Sequence, residues 1–140
     1  YEVAQNEDYA GKRAITYAGW NSNFSRNIPL PMQRATIDQY CEKNNIQYTS
    51  YEFENEHCDW RPSLEYYIKE KPDLIVLNSM YSLTDDIVRR NELLQIAIDN
   101  SVELHFANEH TVLRKQIDID KIKTYLDFAP AKKDLHIWET

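Results

Sequence analysis

The segment Tyr17–Ser22, YAGWNS, follows a short apolar run and opens into residues rich in Asn, Ser and Pro. It therefore reads as a first β-strand ending in a loop, where many α/β domains keep their chemistry. Ser22 is the hydroxyl of that loop, but a hydroxyl becomes a nucleophile only when a positioned base takes its proton. No histidine lies near it in sequence, and a turn or capping role is the commoner one for a loop serine. Two further groups contain metal-ligand types, His57-Cys58-Asp59 and the set His105, Glu109 and His110. Neither has the separated pairs of a zinc site, and strand alternation turns His105 away from its immediate neighbours, so no metal or cofactor is expected. With only two glycines, Gly11 and Gly19, the chain also lacks a glycine-rich phosphate cradle, which removes Rossmann and P-loop readings.

The elements that would position these residues follow from periodicity. Arg13–Ala18 alternates around β-formers and reads as a strand, followed by a loop from Gly19 to Ile28 that Pro29 and Pro31 end. Met32–Asn44 puts Ile37, Tyr40 and Cys41 at helical spacing, and Ile46–Phe53 alternates as a half-buried strand. Pro62 opens a short helix with Leu64, Tyr67 and Ile68 inward, and Leu74–Leu77 (LIVL) is an unbroken apolar run typical of a strand covered on both faces. Thr84 is expected to cap a helix carrying Ile87, Leu94, Ile96, Ala97 and Ile98, with Val102–Ala107 as the next strand. A last helix, Asp118–Phe128, is capped by Asp118 or Asp120. The alternation predicts a three-layer α/β/α domain with a mostly parallel sheet of four or five strands over 12–128, a flexible segment 1–11 and a tail 129–140.

At 140 residues the chain matches one domain, and no stretch approaches the roughly 18 apolar residues of a membrane span. Tyr1–Gly11 is polar and acidic, unlike a signal peptide, and Cys41 and Cys58 do not make a disulfide framework; both are read as reduced thiols of a cytoplasmic protein. The formal charge is −7, from 16 Lys and Arg against 23 Asp and Glu, which disfavours nucleic acid as a partner. Lys12, Arg13, Arg26 and Arg34 come nearest to a basic patch.

Several stretches, in order and spacing, resemble the catalytic domain of serine recombinases, the resolvase and invertase family. They are YAGWNS (Tyr17–Ser22), MQRATIDQYC (Met32–Cys41), YEFENE (Tyr51–Glu56), WRPSL (Trp60–Leu64), DLIVLNSMYSLTD (Asp73–Asp85) and VELHFANE (Val102–Glu109). The resemblance implies a resolvase-like fold and an active site at the strand ends, where a serine attacks a DNA phosphodiester and arginines neutralise the transition state. Asn21 stands at the serine position and Gly19 at that motif's arginine. Asn55 falls at the aspartate of the second strand, Ser82 and Asp85 at or near two further arginines, and Tyr81 at another aspartate. Only Gln33 and Arg61 match.

Losing one preorganised donor costs on the order of a hundred to a thousandfold in rate, and losing the nucleophile removes the covalent route, so recombinase chemistry is not expected. Arg61 with Gln33 could still hold an anion, although an arginine in such a loop more often pairs with carboxylates, here Glu54 or Glu56. Ten tyrosines and three tryptophans are the compositional outlier. Trp20, Trp60 and Tyr81 fall at the strand ends, where Tyr and Trp favour protein contacts. The sequence thus points to an inactive resolvase-like domain serving as a protein-interaction or regulatory module, with a protein partner that includes a second copy of the chain among the options. A diverged recombinase or DNA-binding domain, and a small-molecule sensor or transferase using the strand-end cleft, are the alternatives.

Overall fold

In a computed structural model the structure describes residues 9–19, 28–54 and 60–126. Five strands form one sheet in the order β2-β1-β3-β4-β5: β1 (Ala14–Ala18), β2 (Tyr48–Phe53), β3 (Leu74–Leu77), β4 (Glu103–Phe106) and β5 (Thr111–Leu113). The first four run parallel and β5 runs antiparallel to β4. The helices are α1 (Leu30–Lys43), α2 (Pro62–Lys69), α3 (Ile87–Asp99) and α4, which spans 116–126 as far as it is described, with a 3₁₀ turn at Met80–Ser82.

The LIVL run is a central strand, and all four of its residues are buried. Its alternate side chains serve two cores, because successive strand residues face opposite sides. Leu74 and Val76 meet Ile37, Tyr40 and Cys41 of α1, while Ile75 and Leu77 join Leu64 and Ile68 of α2, Leu93, Leu94 and Ala97 of α3, and Ile119, Ile122 and Leu126 of α4. One helix therefore covers one face and three cover the other. β2 lies at an edge and is half-exposed along most of its length.

The expected alternation of strands and helices is present, and local details differ. Helix α1 begins at Leu30 and includes Pro31, whose missing N–H costs nothing in a first turn. Thr84 does not cap α3: Asp86 does, its Oδ1 accepting from the Arg89 N–H at 2.9 Å, while Thr84 Oγ1 accepts from Asp86 N at 3.2 Å. The cap shifts the inward face to Arg89, Arg90, Leu93, Leu94 and Ala97, and leaves Ile87 58% exposed. Asp118 sits inside α4 and reaches back, accepting from the N–H groups of Arg114 and Lys115 at 2.9 Å each, as an acid in a first turn does. Among the described residues no helix is long and apolar enough to cross a membrane.

Candidate functional site at the strand ends

The sheet order reverses at β1, with β2 on one side and β3 on the other, so the strand-end crevice expected of this topology falls beyond the carboxyl ends of β1 and β3. Gly19 stands at that point. Gln33, in the first turn of α1, donates its Nε2–H to Gly19 O (2.9 Å) and to Ile28 O (2.8 Å), and its Oε1 accepts from Gly19 N at 3.4 Å. The amide thus ties both ends of the intervening loop to α1. A Cβ placed on Gly19 would lie 3.2 Å from Tyr17 Oη and 3.3 Å from Glu54 Cβ, so the space where a side chain would start is already filled.

The filling pair is itself fixed. Tyr17, fully buried, donates its O–H to Glu54 Oε1 at 2.6 Å. The same carboxylate accepts from Ser63 N (2.9 Å) and Leu64 N (3.3 Å), satisfying donors in the first turn of α2 that no local side chain caps. Burial, reinforced by the Glu54 charge and hydrogen bond, holds the Tyr17 phenol far above its usual range. It is a structural hydroxyl that stays protonated.

Arg61, 1% exposed, precedes α2 in a left-handed conformation (φ 55°) that turns its side chain into the crevice, where its Nε donates to Ser82 O at 2.9 Å. Ser82 is buried in the 3₁₀ turn, Tyr81 is half-buried against the core, and Asp85 is half-buried. Gly19, Gln33, Arg61 and Ser82 are thus brought together around the ends of β1 and β3. Trp60 is 51% exposed and lies over the Arg89 guanidinium, 4.7 Å from its ring centroid. Of the two carboxylates expected beside Arg61, Glu54 accepts from Tyr17 and from the first turn of α2, and Glu56 lies outside the described residues. Trp20, Asn21, Ser22, Asn55, Glu56 and the group His57-Cys58-Asp59 lie outside the described residues.

Sequence reasoning did not foresee the roles of three charged residues here. Glu54, one position before Asn55, is the buried carboxylate of this end. Arg89, 1% exposed, donates to Trp60 O (2.7 Å), to Glu65 and to Glu92, so its cationic donors are committed within the fold. Glu109 accepts from Ser79 Oγ (2.6 Å) and Met80 N (3.0 Å) and holds the 3₁₀ turn. Burial of a charge leaves no periodic trace, although the spacing 89, 93, 97 places Arg89 on the inward stripe of α3.

Large apolar side chains surface at the same end. In parallel α/β units each helix starts where its strand ends, and Ile28 (38% exposed), Met32 (60%), Phe53 (42%), Trp60, Ile87 and Val88 (73%) all sit at strand carboxyl ends or helix beginnings.

The second group of metal-ligand types is placed differently. His105 lies on β4 facing α1, fully buried, with Tyr40 Oη 2.8 Å from Nδ1 and Glu103 Oε1 2.9 Å from Nε2. An ionised carboxylate only accepts, so Nε2 carries the proton and Nδ1 accepts the Tyr40 O–H. Burial holds the His105 pKa below its usual value, against the opposing pull of Glu103. Burial alone would raise the Glu103 pKa, but His105 and Arg114 keep it below the usual carboxylate range. Glu109 is not part of this network, and His110 is exposed beside the Tyr40 ring. Cys41, also on this face, has its thiol pushed up to about 12 by burial, with Asp38 adding, and is a buried free thiol of low reactivity.

No protein-family model matches the chain, and no curated protein matches it. Among solved structures the chain is similar to the N-terminal catalytic domain of TP901-1 integrase, with a TM-score of 0.64 at 12% identity over 89% of this chain and 98% of that one. It is also similar to a resolvase family site-specific recombinase from Streptococcus pneumoniae, with a TM-score of 0.62 at 10% identity over 91% of this chain and 94% of the other. The fold is that of the resolvase-like catalytic domain, as the motif order implies.

Proposed function

We propose that this resolvase-like domain is a protein-interaction or regulatory module of the cytoplasm that does not perform recombination. The observation that carries the proposal is the filled space at Gly19. An arginine at that position would start 3.2 Å from a fully buried tyrosine and 3.3 Å from its carboxylate partner, tighter than an ordinary contact, and the Arg89 guanidinium near the same end is committed to Glu65, Glu92 and a carbonyl. Phosphoryl transfer needs cationic donors aimed at the developing charge, and these positions supply none. The exposed apolar side chains around the same crevice, with Trp60 among them, suit a protein contact, because a patch of this kind at one end of a domain marks an interaction surface.

The test has two parts. Incubation with duplex DNA followed by a denaturing gel should show no protein–DNA adduct, and gel shifts should show no salt-resistant binding. A phosphoseryl adduct would overturn the proposal. Trp60→Ala should leave the fold intact by circular dichroism and abolish capture of a partner that the unsubstituted domain retains.

A further inference from the structure

A second concavity lies away from the strand-end crevice, on the α1 face of the sheet. It is a groove of about 780 Å³ bordered by Lys12 before β1, Lys43 at the end of α1, Glu103 on β4 and Arg114 after β5, with Tyr9 and Tyr40 among its walls. That size suits a small organic ligand and exceeds what a bare inorganic ion fills.

The groove's acceptors are already used. Glu103 Oε1 faces the His105 N–H and its Oε2 accepts from Arg114 Nε at 3.2 Å, while Asp73 Oδ2 accepts from the Arg13 N–H at 2.7 Å. Its donors are not. The ammonium groups of Lys12 and Lys43 are exposed and have no hydrogen-bond or ion-pair partner among the described residues, although the chain carries 23 carboxylate side chains against 16 cationic ones. Lys12, Lys43 and Arg114 against Asp73 and Glu103 leave the groove's lining one positive charge in excess, in a protein of net charge −7, which favours an anion there. The aromatic walls are fixed: Arg114 Nη2 donates to Tyr9 Oη at 2.5 Å, the Tyr9 ring meets His105 edge-on at 5.1 Å, and Tyr40 is bonded to the same imidazole. Rings held in place offer an apolar surface that costs little entropy to use.

We infer that this groove binds a phosphomonoester with an organic body, the phosphate lying between Lys12 and Lys43 and the body against the tyrosine walls. The site is separate from the strand-end crevice and independent of the function proposed for it. The probes are AMP and inorganic phosphate, titrated into the full chain at low ionic strength by calorimetry and by amide chemical shifts. AMP should bind saturably, with shifts at Lys12, Lys43 and Arg114, and about tenfold or more tighter than inorganic phosphate. The double variant Lys12→Ala/Lys43→Ala should lose about tenfold or more in AMP affinity, whereas Lys69→Ala/Lys121→Ala, which changes net charge equally, should lose about twofold or less. Equal affinity for phosphate and AMP, equal losses in the two double variants, or shifts confined to Gly19, Arg61 and Ser82 would each overturn the inference.

Discussion

The two concave regions of this domain use charge in opposite ways. At the strand ends the buried charges are spent inward, Glu54 on Tyr17 and α2 and Arg89 on two carboxylates and a carbonyl, and the half-buried Glu109 holds the 3₁₀ turn. Large apolar side chains are exposed there. On the α1 face the carboxylates are spent inward and the lysines remain outward. The strand ends are thus closed by internal hydrogen bonds, whereas the α1 face keeps at its surface ammonium groups that are unpaired among the described residues.

The largest test of this contrast is Glu54→Ala. It strips the acceptor from a buried phenol and two helix donors together, and unfolding in urea should show a loss of about 3 kcal/mol. Glu54→Gln retains one acceptor oxygen and should lose roughly half as much. A loss below about 1 kcal/mol for Ala would show that the strand-end network does not hold that region closed.

Gly19→Arg comes next, with an expected loss of about 2 kcal/mol, since overpacking beside a fully buried side chain costs of that order. The variant should gain no DNA-cleaving activity. Full stability would mean that Tyr17 and Glu54 yield easily and that the position is open to a cation.

The α1 face should respond to pH. The folded pKa of His105 lies below the unfolded one, so the unfolded state takes up the proton first and stability falls as pH drops through about 6.5. The depressed Glu103 pKa works in the same direction at lower pH, since its contribution is lost as the carboxylate protonates. His105→Gln keeps an acceptor for Tyr40 and a donor for Glu103 but does not titrate. Its unfolding free energy should vary less than wild type between pH 7.5 and 5.5; identical slopes would show that His105 is not the group responsible. Trp60→Ala should have the smallest effect on stability, about 0.5–1 kcal/mol from the lost stacking on Arg89, read as a shift in thermal midpoint.

Much of the architecture was legible because apolar periodicity reports burial. LIVL could only be a strand covered twice, and Ile37, Tyr40 and Cys41 could share one helical face. The start of α3 was not legible in the same way: Thr84 and Asp86 are both competent caps, and the later one leaves Ile87 exposed in the first turn while Leu94 and Ala97 stay inward as expected. β5, three residues after a tight turn, is too short to carry a pattern. Of the candidate site, Gln33 and Arg61 were named from motifs and sit near the ends of β1 and β3, but a buried carboxylate such as Glu54 declares itself only through the donors that surround it in space.

The contact between Arg114 and Tyr9 joins residues 105 positions apart. Closing so long a loop is entropically costly unless the sheet between them already exists, so this contact depends on the strands that bring the two residues together. The groove that it walls is therefore a property of the finished fold, and a folding intermediate lacking β5 would have no such groove. Binding there would act as a report that the chain has completed its folding, and a ligand would slow the first step by which the edge of the sheet comes apart.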